Sequence, residues 1–142
     1  MSSETAQILV VDDVLDNLSL LQTFLQAEGY TVEMASDGAL AWDKMKAAPP
    51  DLVLLDIMMP NMDGYELTRK IRRDDQLRSI PVVLITAHVE ACRIKGLAVG
   101  ATDFIRKPID FDDLTIRVKA ILEHSASVQR SQDFHFTSIN PI

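Results

Sequence analysis

The apolar run Leu52–Leu55, which ends at Asp56, constrains the fold more than any other stretch of the chain. A short, uninterrupted apolar run between turn-forming residues is typical of a strand that is buried on both faces. Pro49-Pro50 interrupts the preceding segment, and Pro60 and Gly64 indicate a loop just after Asp56. Strands of this kind belong to parallel sheets that carry helices on both sides. We therefore predict an α/β protein in which Asp56 stands at the end of a central strand.

Strand-like and helix-like runs alternate along the rest of the chain. Apolar, β-branched stretches predict strands over residues 8–11, 30–35, 52–56, 81–86 and 102–105. Apolar residues at helical spacing predict a helix after each strand, including one over residues 89–99. Five such pairs favour a doubly wound five-stranded parallel sheet with short right-handed crossovers and helices on both faces.

Polar residues mark where several of these helices begin. Asp63 and Asp110 are good N-terminal caps, and Ser36 or Asp37 suits the second helix. The third helix is expected to bury Leu67 and Ile71. We predict that the basic residues on that helix, Arg69, Lys70, Arg72 and Arg73, are largely solvated.

Composition limits the classes of function. The chain has 142 residues and a net charge of −7, which disfavours direct binding of nucleic acid. One cysteine excludes an internal disulfide, and the apolar run 8–11 is too short to span a membrane, so we expect a cytoplasmic protein. We predict an N-terminal arm over 1–6, one domain over 7–124 and a flexible C-terminal tail over 125–142, which is rich in Ser and Gln.

Three acids fall at the carboxyl ends of the first and third predicted strands: Asp12, Asp13 and Asp56. The carboxyl ends of parallel strands form the ligand-binding edge of such sheets, so these acids are expected to converge. Two unit charges about 4 Å apart repel by about 4 kcal/mol at an effective dielectric constant of about 20. A proton or a cation must offset this repulsion, and oxygen ligands suit Mg²⁺. Capping of the next helix accounts for one of the acids but not for all three.

A carboxylate can act as the nucleophile toward a phosphoryl group and form an aspartyl phosphate. Negative charge then develops on the phosphoryl oxygens, which calls for a cation, a lysine and hydrogen-bond donors nearby. Lys107 follows the fifth predicted strand and Thr86 ends the fourth. Each residue taken alone is more typical of a surface lysine or a strand threonine. Their joint placement at one sheet edge favours a role in phosphoryl transfer.

This set of residues resembles the receiver domain of two-component response regulators over about residues 7–124. The resemblance rests on Asp12-Asp13, on Asp56 within the segment 54–64, on Thr86-Ala87 and on Lys107-Pro108. It implies the strand order 2-1-3-4-5 of the flavodoxin-like fold. It also implies that Asp56 accepts a phosphoryl group from a phosphohistidine on a sensor histidine kinase or a histidine phosphotransfer protein.

The resemblance further implies the roles of individual residues. Asp13, Asp56 and the Met58 main-chain carbonyl would ligate Mg²⁺, with Asp12 acting through water. The Lys107-Pro108 peptide bond is expected to be cis, which directs Lys107 inward. The expected chemistry is limited to self-catalysed phosphotransfer and a slow autodephosphorylation, and no other enzymatic activity is expected. Residues 58 and 88 would tune the rate of autodephosphorylation.

In the family, phosphorylation draws the residue at the position of Thr86 toward the phosphoryl group, and the aromatic residue at the position of Phe104 enters the vacated space. The face formed by the fourth helix, fifth strand and fifth helix would then change for a downstream protein or for self-association. Phenylalanine here replaces the frequent tyrosine and removes a hydroxyl.

Other interpretations compete with the receiver. A phosphohydrolase resembling the haloacid dehalogenase class needs a second Asp where this chain has Met58, and a flavin-binding module needs a phosphate loop where this chain has Asp12-Asp13. No Gly-rich phosphate loop with a lysine occurs, so ATP is not the expected donor. A receiver-fold interaction scaffold that works without phosphorylation remains open. We expect a stand-alone receiver, or one domain of a longer chain.

Overall fold

The computed structural model describes residues 5–139, with side-chain surroundings described for residues 5–127. Five strands form one parallel sheet in the order β2-β1-β3-β4-β5, and five helices alternate with them. The predicted fold class and strand order are confirmed. The elements are β1 Gln7–Val11, α1 Leu15–Ala27, β2 Thr31–Ala35, α2 Gly38–Ala47, β3 Leu52–Asp56, α3 Gly64–Arg72, β4 Val82–Thr86, α4 Val89–Val99, β5 Asp103–Arg106 and α5 Phe111–Ile139.

The sheet separates two hydrophobic cores. Along β4, Val82 and Leu84 contribute to the core on the α2, α3 and α4 side, whereas Val83 and Ile85 contribute to the core on the α1 and α5 side. This alternation follows from the two-residue period of a strand. Every residue of β3 is buried, as expected for a central strand covered on both faces. Burial on both faces therefore explains the continuous apolar run that ends at Asp56.

Two of the predicted caps fix the helix starts that flank the carboxyl edge of β3. The Asp63 carboxylate accepts a hydrogen bond from the Glu66 N–H at 2.9 Å, and the Glu66 side chain accepts one from the Asp63 N–H at 3.0 Å. Asp37 caps α2 by accepting a hydrogen bond from the Leu40 N–H at 2.7 Å. The reciprocal pair at Asp63 is a capping box and holds the start of α3 in place.

Gly64 lets α3 begin directly against the end of β3. A Cβ on this residue would lie 2.8 Å from Ile57 Cα and 2.9 Å from the Asp56 carbonyl oxygen. The Gly64 N–H donates to the Ile57 carbonyl at 2.9 Å. Because the backbone itself occupies the space, only glycine is compatible with this approach.

The last helix extends further than predicted. α5 runs from Phe111 to Ile139, so the expectation of a tail without regular structure is wrong for residues 125–139. The segment contains no Gly or Pro that would interrupt a helix, although it lacks the apolar period from which the other helices are predicted. Residues 1–4 and 140–142 lie outside the described part of the chain. Within that part, no helix is both long enough and apolar enough to cross a membrane.

Arg72 differs from its predicted solvated state. Its guanidinium donates hydrogen bonds to the carbonyl oxygens of Gly100 at 2.8 Å, Ile80 at 2.6 Å and Arg78 at 3.1 Å. A further nitrogen lies 3.3 Å from Thr102 Oγ1. Partial burial lowers the pKa of Arg72 from its usual value by desolvation. The side chain therefore ties the end of α3 to the segments that enter β4 and β5.

Candidate functional site

Three acids meet at the carboxyl edge of the sheet. β1 and β3 are parallel neighbours with Val11 opposite Leu55, so the residues that follow these two positions lie side by side. Carboxylate oxygens of Asp12, Asp13 and Asp56 all lie within 4.8 Å of one another. Asp12 and Asp56 are almost fully buried, whereas Asp13 is exposed. The structure thus brings together the three acids that the sequence places at two strand ends.

Asp12 also has a structural role. Its carboxylate accepts hydrogen bonds from the Val14 N–H at 2.9 Å and from the Asn17 side-chain amide at 3.0 Å. The residue that precedes α1, Val14, makes no side-chain capping bond. Capping of the first turn therefore explains Asp12 in part, but it explains neither Asp13 nor Asp56.

Lys107 reaches the acids from the end of β5. The Lys107 N–H donates to the Thr86 carbonyl at 3.0 Å, and the Lys107-Pro108 peptide bond is cis. The ammonium nitrogen lies 3.0 Å from Asp56 Oδ1 and 4.0 Å from Asp12 Oδ2. Among the described residues, Lys107 is the cation that pairs with these clustered acids, so an excess of negative charge remains at the site for a further cation.

Thr86 occupies the neighbouring strand end, one residue after the position paired with Asp56. It is buried, and its hydroxyl oxygen accepts a hydrogen bond from the His88 N–H at 3.1 Å and lies 3.7 Å from the Cys92 sulfur. Phe104 on β5 is buried beneath α4. The contact with Cys92 was not predicted, because a single cysteine within a helical segment carries no sequence signal of its position beside Thr86.

Met58 and His88 are exposed residues that follow two of the strand ends. The Met58 side chain is 75% exposed, and His88 is exposed just before the first turn of α4. Both stand two residues beyond a buried strand end, at Asp56 and Thr86. Their role in tuning the rate of dephosphorylation stays a prediction.

A family model decides the identity of this fold and site. The model for the response regulator receiver domain matches residues 8–119. This chain belongs to the receiver domain family of response regulators. Receiver domains are generally switches without enzymatic activity, typically bind Mg²⁺ at an acidic site, and interact with histidine kinases or phosphotransfer proteins and with downstream targets.

Curated relatives of this receiver domain are longer proteins. Response regulator PleD of Caulobacter vibrioides is 48% identical over 118 residues, which are 82% of this chain and 26% of PleD. The alkaline phosphatase synthesis transcriptional regulatory protein PhoP of Bacillus subtilis is 41% identical over 120 residues, which are 84% of this chain and 49% of PhoP. The receiver domain thus spans about a quarter to a half of the relatives it matches.

Solved receiver structures have the same architecture. The chemotaxis protein CheY4 of Vibrio cholerae is 31% identical, with a TM-score of 0.80 and coverage of 83% of this chain and 99% of that one. NtrX of Brucella abortus is 32% identical, with a TM-score of 0.85 and coverage of 92% of this chain and 30% of that one. The match to CheY4 covers almost the whole of that chain, so the receiver fold is present here in full.

Burial and neighbouring charge make the ionised form of Asp56 unfavourable in this receiver domain. Desolvation by burial is the largest cause of a raised Asp56 pKa, and the carboxylates of Asp12 and Asp13 raise this pKa further. The hydrogen bond from Lys107 and its positive charge act in the opposite direction without cancelling the rise. Ionisation of Asp56 therefore costs the fold stability.

Because ionisation of Asp56 costs stability, the effect of Asp56→Asn on the free energy of unfolding should depend on pH. A carboxyl group whose pKa rises on folding stabilises the folded state fully below its unfolded pKa of about 3.9, and that contribution is lost as pH rises through the folded pKa. The amide cannot ionise, so the stability gain of Asp56→Asn over wild type should increase as pH rises through this range. Mg²⁺ should reduce the gain at neutral pH, because it compensates the charge in wild type.

Urea unfolding across pH, with and without Mg²⁺, measures this difference in the free energy of unfolding. The control is Asp16→Asn, since Asp16 is an exposed acid in the first turn of α1 and lies outside the cluster. A difference between Asp56→Asn and wild type that changes with neither pH nor Mg²⁺ would contradict the electrostatic account of the site.

Proposed function

We propose that this receiver domain is a cytoplasmic, phosphorylation-activated switch in which Asp56 accepts a phosphoryl group from a phosphohistidine. The observation that carries the proposal is the 3.0 Å contact between Lys107 and a buried Asp56 carboxylate, with two further carboxylates within 4.8 Å. Such an arrangement concentrates charge around one nucleophilic oxygen. The donor would be a sensor histidine kinase or a histidine phosphotransfer protein.

The transfer itself is a displacement at phosphorus. A carboxylate oxygen of Asp56 bonds to phosphorus, and the P–N bond of the phosphohistidine breaks. The electron pair of that bond stays on the imidazole nitrogen, which takes up a proton. Charge grows on the phosphoryl oxygens during this step, and Lys107 is placed to compensate it because its ammonium already contacts Asp56. We expect the Thr86 hydroxyl to donate to another of these oxygens.

The acid cluster suits a magnesium ion. Its donors are oxygens only, and the charge of three carboxylates exceeds that of Lys107, the cation that pairs with them within the described part of the chain. Asp13, Asp56 and the Met58 main-chain carbonyl would hold Mg²⁺, with Asp12 acting through water. When bound, the ion would neutralise charge shared between the carboxylates and the phosphoryl oxygens. The exposure of Asp13 leaves one side of the cluster open to solvent and to the donor.

Phosphorylation would be read at the face formed by α4, β5 and α5. The hydroxyl of Thr86 contacts the start of α4 through the His88 N–H and Cys92, so its movement toward a phosphoryl group would alter that helix. Phe104 lies on β5 beneath the same helix, which would shift against its ring. The face would bind a downstream protein or a second copy of the chain. We assign no direct contact with nucleic acid and no membrane contact to this domain.

Incubation of the chain with Mg²⁺ and phosphoramidate tests the proposal. Phosphoramidate carries a P–N bond of the same kind as phosphohistidine, and intact mass then reports one added phosphoryl group. We expect an adduct with wild type and with Asp16→Asn, and none with Asp56→Asn or after chelation of Mg²⁺. We expect the adduct to hydrolyse slowly, at a rate that changes on substitution of Met58 or His88.

No adduct on wild type would overturn the proposal. The domain would then act as an interaction scaffold of receiver fold that works without phosphorylation. An adduct that persists in Asp56→Asn would place the acceptor elsewhere and would equally contradict the assignment.

A further inference from the structure

Gly96 and Phe104 lie so close together that a side chain at position 96 would force the Phe104 ring to shift. Gly96 lies in the middle of α4, and Phe104 lies on β5 beneath it. A Cβ on residue 96 would lie 2.5 Å from Cζ and 2.6 Å from Cε2 of the Phe104 ring. Real Cβ atoms essentially never show contacts under 3.0 Å. The ring therefore fills the space that a side chain at position 96 would need.

The backbone of α4 does not itself require glycine at this position. Positive φ values among the described glycines occur at Gly29 and Gly100, so Gly96 has an ordinary helical conformation. Glycine inside a helix is unfavourable relative to alanine by a factor of about five in the folding equilibrium constant. The residue thus weakens its helix and is explained by the ring that it accommodates.

Several contacts close the space around the ring. Phe104 is 4% exposed, and the Arg93 guanidinium carbon lies 5.3 Å from the centre of its ring. An ion pair of 2.6 Å between Arg106 and Glu90 joins β5 to the first turn of α4. Phenylalanine has no hydroxyl that could make a hydrogen bond outside the core. The ring thus loses apolar burial and gains no polar contact if it turns outward.

The inward ring coexists with a Thr86 hydroxyl that is engaged at the start of α4. The hydroxyl accepts the His88 N–H and lies 3.7 Å from the sulfur of Cys92. Because residue 96 has no side chain, it leaves the space that the ring occupies. Thr86 does not have to move to create that space.

We propose that Gly96 is the positioning residue that holds Phe104 inward before phosphorylation, so that the ring position is set by packing against α4 and not by the state of Asp56. The regulatory meaning of this inference rests on the proposed function, because it concerns the face that reports phosphorylation. Phosphorylation then acts through Thr86 and the start of α4, while the ring stays in place.

Nuclear Overhauser effects from the Phe104 ring protons to the Gly96 Hα protons measure the ring position directly. We expect these signals in the unphosphorylated chain, in Asp56→Asn, and in wild type with Mg²⁺ and beryllium fluoride, which mimics an acyl phosphate. The signals that disappear in the spectrum of Phe104→Leu are assigned to the Phe104 ring. Signals that are absent from the unphosphorylated chain and arise only with beryllium fluoride would overturn the inference.

A pair of substitutions tests the packing itself. In wild type, Gly96→Ala should lower the folding equilibrium constant at least tenfold, because the added methyl group collides with the ring. In the Phe104→Leu background, which lacks Cε2 and Cζ, the same change should raise that constant up to about fivefold through helix propensity. An equal effect of Gly96→Ala in both backgrounds would show that the ring does not occupy this space.

The two proposals fail in different ways. If phosphoramidate yields no adduct but the ring signals are present, the phosphorylation proposal fails and the inward position of Phe104 stands. If the adduct forms and the ring signals depend on it, the phosphorylation proposal stands and the role of Gly96 fails.

Discussion

Replacing Lys107 with alanine is expected to slow phosphorylation of Asp56 by a factor of about 100 to 1000, the usual cost of losing one preorganised group that stabilises developing negative charge. The ammonium lies 3.0 Å from Asp56 Oδ1, so it is already positioned before a phosphoryl group arrives. It therefore loses little freedom when the charge on the phosphoryl oxygens grows. The initial rate of adduct formation with phosphoramidate and Mg²⁺, followed by intact mass, measures the effect.

The same substitution should raise the affinity for Mg²⁺. The ammonium and the magnesium ion compensate the same carboxylates, and removal of the first leaves more negative charge for the second. A Mg²⁺ titration of Lys107→Ala therefore separates two roles of the lysine. Slow phosphorylation together with stronger Mg²⁺ binding supports a direct role in transfer. Slow phosphorylation with lost Mg²⁺ binding would mean that Lys107 only holds the acid cluster together.

Two variants control for charge. Lys119→Ala removes a positive charge from an exposed position on α5 and should leave the rate of phosphorylation unchanged. Lys107→Arg keeps the charge but replaces a compact ammonium with a planar group, so it should restore part of the rate. If Lys119→Ala and Lys107→Ala slowed phosphorylation equally, the effect would follow from net charge alone. That result would contradict the role assigned to Lys107.

Replacing Arg72 with alanine is expected to lower the free energy of unfolding by about 3 kcal/mol. The guanidinium donates to three carbonyl oxygens, at Gly100, Ile80 and Arg78, and these belong to the segments that enter β4 and β5. Hydrogen bonds from a charged donor contribute about 1.5 to 3 kcal/mol each, and partial exposure of the site lets water replace some of them. Urea denaturation measures the loss.

The adjacent residue provides a matched control for this prediction. Arg73 is the exposed C-terminal cap residue of α3, so Arg73→Ala removes the same charge from the same helix end. Its effect should be small, as for most surface substitutions. Arg72→Lys should be intermediate, because an ammonium cannot reach all three carbonyls in the geometry of a guanidinium. Similar effects of Arg72→Ala and Arg73→Ala would show that the carbonyl contacts do not contribute to stability.

The fold could be predicted largely because its local signals agree with one another. The run buried on both faces at β3 and the five strand–helix pairs favour a parallel sheet with helices on both sides, and the caps at Asp37 and Asp63 mark where two of these helices begin. Helix α5 is longer than predicted for a physical reason. Beyond Leu122 its sequence lacks a clear apolar stripe, so the helical period that predicts α5 stops there, although no Gly or Pro interrupts the segment up to Ile139.

The sequence by itself determined which acids could meet, because Asp12, Asp13 and Asp56 each follow or end a strand and parallel strands end at one edge. It also placed Lys107 and Thr86 at the neighbouring strand ends. Only the tertiary structure decided the contacts between different elements, namely the guanidinium of Arg72 on three loop carbonyls, Cys92 beside Thr86, and the Phe104 ring against Gly96. Local patterns report which residues are buried and where a strand ends. They do not report which side chains share a space, since that depends on how the helices settle on the sheet.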